Sequence, residues 1–216
     1  MYGTQRTVSD VMTQTVVAVS GDAPYKQIAR TLAEWKVSAV PVLAGEGRVI
    51  GVVSEADLLS KEEYKGREPT DVARPEQLGD LAKAGARTAE DLMSTPAVTV
   101  HADATVAEAA RIMARKGVKR LPVVDAEGML AGIVSRADLL KVYLRSDEDI
   151  AQEVRDEVIA RLFPHRSPTV EVQVAEGVVT LSGHLPDATM VPLVARLVRA
   201  AEGVVNVDLR LDGPTS

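Results

Sequence analysis

The chain has 216 residues, no cysteine, one Trp, one Phe, four Tyr and a formal net charge of −6. Without cysteine, disulfides, thiolate metal ligands and a cysteine nucleophile are excluded. So few aromatic rings on an acidic chain argue against a base-stacking or polyanion-binding surface, so no nucleic-acid partner is expected. The opening stretch MYGTQRTVSD has no apolar run. No segment approaches the roughly 18 apolar residues of a membrane span, so a soluble, cytoplasmic protein is expected.

In chain order, the first 60 or so residues read as strand, helix, strand, strand, helix, with Pro24 at an early helical position. A charged stretch follows over residues 61–86, punctuated by Gly66, Pro69, Pro75, Gly79 and Gly85. It reads as an exposed connection with one short helix near residues 76–83. The order then recurs. AVTV from Ala97 is a short strand, and Thr105 with Glu108 has capping-box spacing at the head of a helix that Gly117 stops. RLPVVD and MLAGIVS are strands around an AEG turn, and RADLLKVYL is a helix with Ser135 near its N-cap. Trp35, Met113 and Met129 read as core or interface packing. From Asp147 the pattern changes to helix, hairpin, helix and strand. Ile150, Val154, Val158, Ile159 and Leu162 mark the first helix, Gly203 ends the second, and VVNVDLRL is the last strand.

The recurrence is a duplication. Sliding the chain by 81 positions aligns residues 6–59 with 87–140 without a gap, and about 23 of the 54 pairs are identical. GVVSEADLL, starting at Gly51, returns as GIVSRADLL, starting at Gly132. In the second copy Gly132 lacks a Cβ, so another group can approach the strand there. Ser135 falls where the strand meets the helix, and Asp138 lies one turn on. A hydroxyl and an ionised carboxylate at this spacing suit a vicinal diol such as a ribose. They suit a helix cap and the helix dipole equally well. Ser54 and Asp57 repeat the arrangement in the first copy.

The two copies, with their V…PVV…G…GIVS..DLL pattern, resemble a tandem pair of CBS domains, often called a Bateman module. The resemblance spans roughly residues 6–145. It implies an α/β (α+β) architecture of two βαββα repeats packed as a pseudo-symmetric pair, over residues 6–60 and 87–145. It also implies a cleft that takes adenosine-containing ligands, and pairing of two chains into a homodimer. Ser54, Asp57, Ser135 and Asp138 would then contact ribose and phosphate. Val37 and Val40 bound the run before the first copy's proline, and Val118 and Leu121 the matching run. These would contact base or phosphates, and Thr15 and Thr95 lie in segments lining the same cleft. The copies differ in charge. Lys119, Arg120 and Arg136 stand where the first copy has Ser38, Ala39 and Glu55. Because phosphate needs cationic or N–H donors, the second copy is expected to hold the phosphates.

Residues 147–212 resemble a BON domain in their αββαβ order, the GVVTLSG run from Gly177 and the GVVNV ending at Val207. That resemblance implies phospholipid or envelope association. Acidic residues outnumber basic ones here, which is unfavourable for anionic lipid, so an unknown protein partner competes with a phospholipid surface. The expected function is a non-catalytic sensor with no obligatory cofactor and no metal, whose effector is an adenine nucleotide or other adenosyl compound (AMP, ATP). The alternatives are an assembly module without nucleotide and a Mg²⁺-dependent nucleotide-processing enzyme with Asp57 and Asp138 on the metal. Against a catalytic site, the three histidines are scattered and no Walker or dinucleotide glycine pattern is present.

Overall fold

The computed structural model describes residues 6–63, 83, 85–164, 169–185 and 187–212. The short helix expected near residues 76–83 lies outside them, Lys83 excepted. The first repeat runs α1 (Val8–Val11), β1 (Val19–Ser20), α2 (Tyr25–Trp35), β2 (Ala39–Ala44), β3 (Arg48–Ser54) and α3 (Glu55–Glu63). The second runs α4 (Ala89–Leu92), β4 (Val100–His101), α5 (Val106–Lys116), β5 (Arg120–Val124), β6 (Leu130–Ser135) and α6 (Arg136–Leu139), followed by a 3₁₀ turn at Leu140–Leu144. Each repeat builds a three-stranded sheet with one parallel and one antiparallel ladder, β1-β2-β3 and β4-β5-β6. Both sheets carry a register shift at the same repeat position, Val42/Leu43 and Val123/Val124.

Helical spacing puts Ile28 and Leu32 of α2 into the first core and Ala109 and Met113 of α5 into the second. A buried aliphatic side chain stabilises by about 1.5–3 kcal/mol. Trp35 is 59% exposed, so of the core and interface readings only the interface one stands. Two sequence readings are corrected. Pro24 is the N-cap residue of α2, just outside the helix, because its extended backbone (ψ 151°) is not helical. The strand expected at AVTV is only Val100–His101, because parallel pairing with Val123 and Val124 begins there.

Gly117 takes the left-handed conformation after α5, but Lys36 must do so after α2 (φ 51°). A side chain is strained at that backbone angle, and glycine is not. Lys36→Gly is expected to stabilise the chain by about 0.5–1 kcal/mol, read from urea unfolding.

The chain divides into two compact units. One comprises the described residues of Met12–Ala104 and Glu108–Ser135, the other those of Met1–Val11, Thr105–Ala107 and Arg136–Ser216. The division falls between Ser135 and Arg136, inside the second copy of the duplicated phrase. The first unit holds both repeat sheets. The second holds α7 (Asp147–Glu153), a π-helical turn (Val154–Ile159), α8 (Ala160–Leu162), β7 (Thr169–Ala175), β8 (Val178–His184), a 3₁₀ turn (Ala188–Met190), α9 (Val191–Ala200) and β9 (Asn206–Asp212). Ile150, Val154 and Val158 recur every fourth residue and all face the core. A spacing of four runs ahead of a 3.6-residue turn, and the wider π turn brings the stripe back. Glu176 and Gly177 both have positive φ, as a two-residue hairpin turn requires. Asp147 accepts both of their N–H groups at 2.9 Å.

Candidate functional site

Within the first unit, each repeat's glycine is met by the other repeat. Segment Met93–Ser94 opens the second repeat but pairs with β3 of the first. Ser94 N–H donates to Val52 O (2.9 Å) and Val52 N–H to Ser94 O (3.2 Å). Met12–Thr13 crosses to β6 in the same way, with Thr13 and Ile133 exchanging two bonds of 2.9 Å. A Cβ at Gly51 would stand 2.4 Å from Met93 Sδ, and one at Gly132 would stand 2.7 Å from Met12 Sδ and 3.1 Å from Thr13 O. The close approach expected at Gly132 is therefore made by the chain itself. The exchange also sends Ala86, Ala89 and Leu92 into the first repeat's core.

The exchange makes the surroundings of Asp57 composite. Ser54 ends β3, and Asp57 lies in the first turn of α3. Asp57 Oδ2 accepts the Ser54 N–H at 2.8 Å and the Ser54 hydroxyl at 2.6 Å. This caps the helix and also fixes the carboxylate. Oδ1 is held by Lys83, which reaches in from the connection between the repeats. Lys83 Nζ also lies 3.5 Å from Ser94 Oγ. Next to this, Glu55 N–H donates to Ser38 O at 3.0 Å. Ser38 Oγ in turn accepts from Arg120 Nη2 at 2.7 Å. Among the described residues, Arg120 Nε is buried without a hydrogen-bond partner. Thr95, on the incoming segment, donates to Ile50 O at 3.0 Å.

These contacts regroup the residues singled out in the sequence. The Arg120 guanidinium donates to Ser38 of the first repeat. Val40 and Leu121 are fully buried and pair in the ladders with Val53 and Val134, so their side chains belong to the cores. Val37 packs against the first core with its N–H on Leu32 O, and Val118 N–H is on Met113 O. Thr15, Lys119 and Arg136 are exposed. Ser135 closes β6 opposite Arg120 in the ladder. In the second unit, Asp138 Oδ1 pairs with Lys141 Nζ at 2.8 Å within one helical turn. Lys141 occupies the repeat position of Ser60, which is buried. In the first repeat the aspartate is paired with Lys83 from outside the helix, while Lys61, one turn along α3, donates to Ala86 O. Nothing in the periodicity flags Lys83. The only hint was a lysine just before Ala86, where the apolar pattern resumes.

Among the described residues, no three His, Asp or Glu side chains are grouped to hold a metal ion, and no helix is long and apolar enough to cross a membrane. The Asp57 surroundings offer a fixed carboxylate, a hydroxyl and two cations. Such a set can take a polyhydroxylated anionic ligand.

Two βαββα repeats that exchange their opening segments define a paired-repeat architecture. The CBS domain family matches residues 8–63 and 89–145, and the BON domain family residues 146–212, so the chain belongs to the CBS domain family and carries a BON domain behind the pair. An uncharacterised protein of Methanopyrus kandleri is 33% identical over 62% of this chain and 61% of its own length. The chloroplastic CBS domain-containing protein CBSX2 of Arabidopsis thaliana is 30% identical over 64% of each chain. The crystal structure of CBSX2 in complex with AMP superposes with a TM-score of 0.57 at 31% identity, covering 64% of this chain and 96% of that one. An inosine-5′-monophosphate dehydrogenase of Korarchaeum cryptofilum is 26% identical over 91% of this chain, which spans 40% of that enzyme. The chain therefore spans less than two thirds of each of these three curated relatives.

Proposed function

We propose that the protein is a non-catalytic regulator whose CBS pair binds an adenosine-containing ligand at Asp57, with AMP as the first candidate. The observation that carries this reading is the fixed Asp57 carboxylate flanked by Ser54, Lys83 and the Ser38–Arg120 pair. The carboxylate suits ribose hydroxyls, and the unpartnered Arg120 Nε and the Lys83 ammonium suit a phosphate. The AMP complex of CBSX2 supports the choice of ligand. In this reading the phosphate goes to the first repeat, because Arg120 reaches across to it. The BON domain passes ligand occupancy to a partner protein. A ligand can act in this way only by binding one arrangement more tightly than another. The matching exposed leucines of the two repeats, Leu59 and Leu140, support pairing with a second copy of the chain.

A thermal-shift series on the full chain with AMP, ATP and S-adenosylmethionine tests this. Ligand at 100 times its Kd adds about 2.7 kcal/mol. That raises Tm by about 5–10 °C for a chain of this size. No shift with any of the three, or steady phosphate release from ATP, would contradict the reading.

A further inference from the structure

We infer that Lys83 is a specificity-determining residue that makes the Asp57 site demand an anionic ligand. The inference rests on the adenosine-binding reading above and goes beyond it in assigning the selection to a residue of the connection between the repeats.

An ionised carboxylate has about four lone-pair positions. At Asp57 the Ser54 N–H and hydroxyl both fall on Oδ2, and Lys83 falls on Oδ1. Among the described residues one position, on Oδ1, is left. A ribose that donates both of its hydroxyls displaces one of the three donors, and in this inference it is Lys83, the donor that comes from outside the strand-to-helix junction. Asp57 is 9% exposed and the Lys83 side chain 22%, so both partners are largely withdrawn from water in the pair. Among the described residues, a displaced Lys83 retains only Ser94 Oγ, at 3.5 Å. A half-buried ammonium without a counter-ion is unfavourable.

Neutral and anionic ligands then differ. Adenosine takes the Asp57 oxygen and leaves the ammonium uncompensated. AMP takes the same oxygen and brings a phosphate that can accept from the ammonium. Lys83 thus penalises the neutral ligand and rewards the charged one, which is selection by a repulsive as well as an attractive element.

The Lys83 carbonyl is tied to the first core. Ala86 is 4% exposed in the first core, and its N–H donates to Lys83 O at 3.0 Å. Ala86 O accepts from Lys61 Nζ at 3.3 Å. The ammonium is therefore delivered to Asp57 from a fixed stem. In the second repeat Asp138 pairs with Lys141 of its own turn, whose side chain is 49% exposed.

Calorimetric titration of the full chain with AMP and with adenosine tests the inference, using the parent, Lys83→Met and Lys83→Arg. The ratio of AMP to adenosine affinity is expected to fall at least tenfold in Lys83→Met, through weaker AMP and tighter adenosine binding together. Lys83→Arg keeps the charge and is expected to keep the preference for AMP. An unchanged ratio in Lys83→Met, with AMP still bound, overturns the role of Lys83 and leaves the adenosine-site reading standing. A parent chain that binds neither compound overturns that reading and the inference with it.

Discussion

Gly51→Ala is expected to destabilise the first unit by about 1–3 kcal/mol, the range for forcing a methyl group into a filled space. For a chain of this length that corresponds to a fall in Tm of about 2–4 °C per kcal/mol. The added Cβ would lie 2.4 Å from Met93 Sδ, 2.7 Å from its Cγ and 2.9 Å from its Cβ. The first two atoms can swing away. The third moves only with the backbone of Met93–Ser94, which two hydrogen bonds hold on Val52. In a Met93→Ala background the cost should shrink without vanishing, a coupling of at least about 0.5 kcal/mol between residues in contact. A Gly51→Ala protein that melts with the parent would show that the exchanged segment does not sit on β3. The same substitution shifts Ser94 and Thr95 against Ser54, so ligand affinity should fall together with stability.

Asp57→Ala is expected to weaken AMP binding by about 10- to 150-fold, the equivalent of 1.5–3 kcal/mol for a hydrogen bond to a charged group. The variant removes the acceptor for ribose and leaves the Ser54 N–H and Lys83 without their partner. Asp57→Asn keeps an oxygen for the Ser54 N–H but loses the charge, so it should retain more stability than Asp57→Ala while still binding AMP poorly. Urea unfolding beside the titration separates the two effects. An Asp57→Ala chain that is folded and binds AMP like the parent would remove Asp57 from the site.

Much of the fold was legible in the sequence because its signals are local or duplicated. The 81-residue repeat fixes two equivalent units, the stops at Gly117 and Gly203 are read from residue type, and alternating valines mark β7 and β8. The site was legible in part. Ser54 and Asp57 are found from a hydroxyl and a carboxylate at a strand-to-helix junction. Their neighbours are not found in this way, because they come from distant sequence. Arg120 reaches Ser38 across 82 positions, and Lys83 reaches Asp57 across 26. A duplicated sequence invites the assumption that each copy completes its own site. The exchange of Met12–Thr13 and Met93–Ser94 breaks that assumption. Arg120 of the second repeat donates to Ser38 of the first. The glycine of the repeated phrase is explained by the same exchange, since a methionine of the opposite copy lies where its side chain would be. A capping box also closes the head of α4. It forms at Thr88 and Asp91, where hydrogen bonds from the Arg87 and Thr88 N–H groups hold the Asp91 carboxyl below its usual range.

The central claim is that the adenosyl ligand and its phosphate are held at Asp57. The most direct measurement is a calorimetric titration of AMP into the full chain, run side by side on the parent, Asp57→Ala and Asp138→Ala. The account predicts one dominant binding event in the parent, lost or weakened more than tenfold in Asp57→Ala and kept within about threefold in Asp138→Ala. Loss of binding in Asp138→Ala, with Asp57→Ala indistinguishable from the parent, would contradict it.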